Sequence, residues 1–277
     1  MPTFATPGPI TATVEAGGAQ VRVTASDRTD TVVLVEPLDA ASRKDVKVAD
    51  KTRVDFADGQ LTVKTMVAGD QDGSVAITID LPVGSSLIAY LAHSGVHVDG
   101  SVGPCELHMA SGRVQLDRIN ALRANISAGE VEIGHIAGRA DIEGATFAVR
   151  IGAVTGPVGI TSAGGPAWIG HAAADLELSS GSGSLDIDRA DGSVTATTGS
   201  GTIRIGRMTH GQAKLMNGSG DIEVGIGEGT AAYVDVNSER GSVRNSVASP
   251  DGDASDTKVM IHARTRHGDV IIHRATS

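Results

Sequence analysis

Short segments in which an anchor glycine is followed by aliphatic residues two and four places on recur along the chain. They are Gly112-Arg-Val-Gln-Leu116, Gly129-Glu-Val-Glu-Ile133, Gly183-Ser-Leu-Asp-Ile187, Gly201-Thr-Ile-Arg-Ile205 and Gly220-Asp-Ile-Glu-Val224. The anchor position is taken in turn by Ser94, Gly112, Gly129, Phe147, Gly165, Gly183, Gly201, Gly220, Gly241 and Gly268. The intervals are 17 or 18 residues as far as Gly201, then 19, 21 and 27. A fixed period of this length marks a repeat architecture.

The columns that this register generates have a consistent character. Two places after the anchor stand Val114, Val131, Val149, Ala167, Leu185, Ile203, Ile222, Val243 and Val270; seven places before it stand Cys105, Leu122, Ala140, Val158, Leu176, Val194, Ala213, Val234 and Ile261. Similar apolar columns lie four places after and five places before. Each repeat is therefore predicted to carry two short strands whose alternate side chains point inward.

Outward positions test the register independently. Equivalent positions of stacked coils lie about 4.8 Å apart, where like charges repel. One outward column reads Gln115, Glu132, Arg150, Trp168, Asp186, Arg204, Glu223, Arg244, and the other Glu106, Arg123, Asp141, Gly159, Glu177, Thr195, Lys214, Asp235. This alternation of sign is expected of stacked, in-register parallel strands.

The predicted fold is thus all-β, a single-stranded parallel β-helix or solenoid of about ten coils with roughly 18 residues per coil. Residues 1–93 hold strand signals outside the register and are expected to form an N-terminal β cap; residues 94–277 form the solenoid, with an inserted loop at 247–257 rich in Ser, Asp, Gly and Pro. A left-handed hexapeptide helix is excluded because the inward positions fall two apart, not six. The calcium-binding nonapeptide roll is excluded because its glycine-aspartate run is missing.

Composition narrows the picture. With only six aromatic residues the core must be aliphatic, and 36 Gly residues fit turns taken at regular intervals. The net charge of −10 argues against a nucleic-acid partner. No stretch reaches the roughly 18 apolar residues of a membrane span, and Met1 to Pro9 lack the basic and apolar regions of a signal peptide. The expectation is a soluble, cytoplasmic protein. Cys105, the single cysteine, falls in an inward column and is read as a core residue rather than a reactive thiol.

Candidate chemistry is sparse. No Cys/His cluster has metal-ligand spacing, so the nine His residues are read as surface residues. Carboxylates are interleaved with Arg and Lys, as ladder neutralisation requires. Serines of the Ser-Gly pairs sit at coil corners with no partnered His in view. The chain is expected to have no catalytic residues, cofactor or metal. Trp168, in an outward column between Arg150 and Asp186, is either a ring stacked on the neighbouring guanidinium or an aromatic anchor for a partner. Arg150, Trp168 and Asp186 are therefore the candidate partner-binding residues, for an unknown protein or for self-association. The expected function is a non-catalytic binding or scaffolding protein; the alternative is a polysaccharide lyase or hydrolase.

Three further segments carry a family likeness: Ile79-Asp-Leu-Pro-Val-Gly-Ser85, Gly225-Ile-Gly-Glu-Gly-Thr-Ala-Ala-Tyr-Val-Asp-Val236 and Arg264-Thr-Arg-His-Gly-Asp-Val-Ile-Ile-His-Arg274. With the Ser-Gly repeats they resemble, over nearly the whole chain, the bacterial family of "putative adhesins" of unknown function, in the form common in actinobacteria. The resemblance implies a β-solenoid without an established catalytic activity.

Overall fold

The computed structural model describes residues 1–65, 73–247 and 258–275. The described residues are mostly strand, with one helix at Arg43–Lys51. Contacts divide the chain into two compact units, Met1–Ile142 and Glu143–Ser277.

In the second unit each coil carries two strands, as the columns predict. One parallel ladder runs through Val158–Gly164, Leu176–Ser182, Val194–Ser200 and Gly211–Ser219. The other runs from residues 149–154 through Ala167–Ala172, Leu185–Ala190, Ile203–Met208 and Ile222–Ile226. Ile187 is registered with Ile205, and both are fully buried. Burying such a side chain contributes about 1.5–3 kcal/mol, so an aliphatic column of this kind supplies the main favourable term.

The anchor glycines have a steric cause. Gly183 and Gly201 adopt φ of +147° and +129°, and a Cβ on either would run into the carbonyl oxygen of the preceding anchor, Gly165 or Gly183. Only glycine takes this backbone conformation and this close approach without strain. Phe147, which occupies the same column, has no positive φ and buries its ring.

The anchor carbonyls are satisfied from the next layer by the side chain three places before its anchor. Thr198 donates to the carbonyl of Gly183 at 3.2 Å and Asn217 to that of Gly201 at 2.6 Å. Unpaired buried carbonyls are costly, which explains why buried polar residues persist at this corner.

The last two coils do not stack in chain order. Lys258–His267 pairs with Gly211–Ser219 on one edge and with Ala231–Arg240 on the other. Val270–Arg274 likewise lies between Ile222–Ile226 and Val243–Asn245. The corner hydrogen bonds follow the same order: Thr265 donates to the carbonyl of Gly220 at 3.1 Å, and Ser238 to that of Gly268 at 2.7 Å. The final segment of the chain is thus an interior layer. This corrects the expected columns, in which Arg244 follows Glu223 and Asp235 follows Lys214; Ile271 and His262 stand between them. The inserted loop expected at 247–257 lies, from residue 248 on, outside the described residues.

The first unit is built in a similar way. Thr11–Ser26 is flanked on one edge by Gln60–Lys64 and Val75–Pro82, and on the other by the first part of Ser86–Ile136, all parallel. Ser86–Ile136 is an unbroken run of strand that turns at Gly100, Gly112 and Gly129, whose φ values are positive. Antiparallel strands then cover the outer edges: Asp30–Pro37 on Val75–Pro82, Thr3–Ala5 on Asp30–Pro37, and Arg53–Ala57 on Gln60–Lys64.

The helix is an element that the repeat pattern does not reveal. Ser42 caps it by accepting from the Asp45 amide, and Asp45 in turn accepts from the amides of Asp39 and Ser74, each at 3.0 Å. Those amide donors hold the Asp45 carboxyl below its ordinary range.

Candidate functional site

The outward column of the second unit was the sequence's best candidate surface. Trp168 is registered between Arg150 and Asp186, as the period places it. The Arg150 guanidinium lies 4.1 Å from the indole centroid. Gly170, next on the same face of the strand, packs closely: a Cβ there would meet the Gly152 carbonyl oxygen at 2.6 Å and the far edge of the indole at 3.0 Å. Trp168 is half-buried, so part of its surface remains open to solvent beside an exposed Arg150.

Asp186 is committed elsewhere. Arg204 donates to it at 2.8 Å and approaches Asp188 at 3.6 Å. Glu223, the next residue of this ladder, faces His273 at 3.0 Å. In the other ladder, Arg264 grips Asp235 through two contacts of 2.7 and 2.8 Å, and His262 approaches it at 3.3 Å. The Arg264 hydrogen bond, with help from His262, holds the Asp235 carboxyl below its ordinary range. Asp186 and Asp235 each face an Arg guanidinium, and carboxylates paired in this way are poorly placed for general acid or base work.

At a nearby corner Asp191 gathers three donors: Arg189, Thr209 and His171, the last at 2.8 Å. Burial alone would push the Asp191 carboxyl up, but these hydrogen bonds together bring it well below the carboxylate range. His171, Arg189 and Thr209 come from three successive layers, so the cluster clamps the corner together.

In the first unit the structure brings together a pair that the sequence reading missed. His93 Nδ1 lies 2.6 Å from Ser111 Oγ, at equivalent places in successive coils eighteen residues apart. The period would have found it. No carboxylate orients the His93 ring among the described residues, as a nucleophilic triad would require. Cys105 is buried, and desolvation pushes its thiol up to about 12, so at neutral pH it stays protonated. Among the described residues no three or more His, Cys, Asp or Glu gather into a metal-ligand set. Among them, too, no helix is long and apolar enough to cross a membrane.

Residues 12–273, almost all of this repeat array, match the model of the Toastrack DUF4097 family. The chain belongs to that family. This match bears out the family likeness seen in the sequence segments. One similar solved structure is a "putative adhesin" from Parabacteroides distasonis, 13% identical over 98% of this chain and 95% of that one, with a TM-score of 0.40. Another, a "putative adhesin" from Parabacteroides merdae, is 11% identical over 98% and 94%, with a TM-score of 0.36. A "putative lipid binding protein" from Parabacteroides distasonis is 9% identical over 99% and 94%, with a TM-score of 0.33. Comparison with curated proteins returns no significant match. The matched range takes in every anchor of this Toastrack chain, from Ser94 to Gly268.

Proposed function

We propose that this Toastrack chain is a non-catalytic binding protein, whose ladder face around Arg150, Trp168 and Asp186 engages a protein partner or another copy of itself. The observation that carries the reading is Trp168, the only tryptophan of the chain, held half-exposed on a regular outward ladder by the Arg150 guanidinium. Tryptophan and arginine are the residues most often responsible for binding energy at interfaces, and a ring already held in place loses little entropy on binding. The rigid parallel layers beneath it supply a fixed platform.

The single tryptophan also supplies the test. Cross-linking in the native cell, followed by purification, should recover the same partner, or a dimer, with the wild-type chain but not with Trp168→Ala. Adding that partner, or concentrating the chain, should shift Trp168 emission. Equal recovery with both chains would remove this face from the reading. Turnover on a panel of glycan and ester substrates, abolished by one carboxylate substitution, would replace the reading with the enzymatic one.

A further inference from the structure

A cavity of about 850 Å³ opens in the first unit, distant in sequence from the Trp168 ladder. Its walls include Lys51, Arg53, Lys64, Glu15, Asp50 and Tyr90. Four of these form one outward row: Arg53 is registered with Lys64, Lys64 with Glu15, and Glu15 with Tyr90. The row crosses strands from three distant parts of the sequence.

Two features of this row bear on ligand binding. First, Arg53 and Lys64 stand directly opposite each other on an antiparallel pair, an arrangement that destabilises a sheet. Lys64 is relieved by an ion pair with Glu15. Arg53 and Lys51 have no carboxylate partner among the described residues, and both are exposed. A local cost without a structural return is characteristic of a binding site. Second, Tyr90 is 45% exposed, yet its ring is held rigid from one side. His108 stacks on it at 5.0 Å with the planes only 9° apart, and His108 is fixed in turn by Glu106 at 2.8 Å. A large aromatic surface is thus pinned in one orientation in the cavity wall.

The charges select the ligand. Three cations and two carboxylates leave the cavity with one positive charge in excess, which matches a monoanion and disfavours a phosphate dianion. Glu15 and Asp50 can accept hydrogen bonds from hydroxyl groups, and a fixed planar ring packs against the apolar face of a sugar. We propose that this cavity binds a saccharide bearing a carboxylate, a uronate unit. In this assignment Arg53 and Lys51 take the carboxylate, the two acids take ring hydroxyls, and Tyr90 stacks on the ring. The volume lies in the range of sites for small ligands.

The test uses the full chain in calorimetric titrations with trigalacturonate, with its neutral counterpart galactotriose, and with an acidic hexapeptide. Saturable binding of the uronide is expected, with at least tenfold weaker binding of the neutral sugar. Arg53→Ala and Tyr90→Ala should each weaken uronide binding about tenfold, whereas Tyr90→Phe should retain it. These side chains are outward and exposed, so circular dichroism should show every variant folded. Trp168→Ala should leave uronide binding unchanged, which keeps this inference separate from the role proposed for that face. No saturable binding of the uronide, equal binding of both sugars, preference for the peptide, or indifference to Arg53→Ala would each overturn it.

Discussion

From Val158 to Ile226 every coil lies on the one that precedes it in the chain, whereas the last two coils exchange places and residues 258–274 become an interior layer. The two regions use the same physics. Aliphatic residues point inward, outward charges compensate, and a corner side chain caps the anchor carbonyl of the neighbouring layer. What differs is only which segment supplies the neighbour. Backbone pairing and apolar columns are satisfied by any coil of the right register, so the stacking order is set by something other than the repeat itself.

The largest effect is expected from removing residues 258–277. If coils stacked in chain order, this would peel off the outermost layer and leave a shorter solenoid. Here it takes out a layer with partners on both edges, leaving Ala231–Arg240 without a partner strand. In a stack held by nearest-neighbour interfaces both interfaces of that layer are lost together, and the sheet edges of Gly211–Ser219 and Ala231–Arg240 are left unpaired. The truncated chain should aggregate, or lose its cooperative thermal transition by circular dichroism; a soluble chain with a sharp transition would restore chain-order stacking.

Within the regular run, Gly201→Ala forces a Cβ into the Gly183 carbonyl at a φ of +129°. A loss of about 3 kcal/mol is expected in urea unfolding. Gly59→Ala is the control: its φ is +74°, but nothing lies within 4 Å of the added carbon, so its cost should be smaller.

Asp191→Asn probes the corner cluster. The wild-type carboxyl has a folded pKa below its unfolded one, so its stabilisation is fully present above about pH 4 and is lost as the pH falls toward the folded value. The variant should be about 2 kcal/mol less stable at neutral pH, with the difference shrinking below about pH 4 in denaturation series. A difference that grows on acidification would refute the cluster's role.

The smallest perturbation discriminates most directly between the two stacking orders. Lys214 and His262 are registered partners, whereas Lys214 and Asp235 are two layers, roughly 9.6 Å, apart. Oxidation should close a disulfide in the Lys214→Cys, His262→Cys double variant and not in Lys214→Cys, Asp235→Cys, because bridged Cα atoms lie within about 7 Å. Mobility on non-reducing gels reads the outcome, and the buried Cys105 should not compete.

The site was unevenly visible in sequence. Trp168 beside Arg150 was legible because each is one period from the other. The Tyr90–His108 and His93–Ser111 contacts are also eighteen residues apart, and the same count would have found them. The row Arg53, Lys64, Glu15, Tyr90 was not legible, since no common interval links residues drawn together by out-of-order pairing. The helix at Arg43–Lys51 escaped for another reason: it lies outside the repeat and is docked by a single buried carboxylate, Asp45.

By itself the sequence determined which side chains face inward, where the chain must turn, and which outward residues are neighbours within the regular run. Those properties follow from local sterics and from a period that strand geometry converts directly into layers. Only the tertiary structure decided that Thr11–Ser26 and residues 258–274 are interior layers, and with that which charges meet at Asp235 and around the Arg53 cavity. A coil's pattern specifies the kind of neighbour it accepts and carries no record of which coil that is; the choice falls to long-range packing.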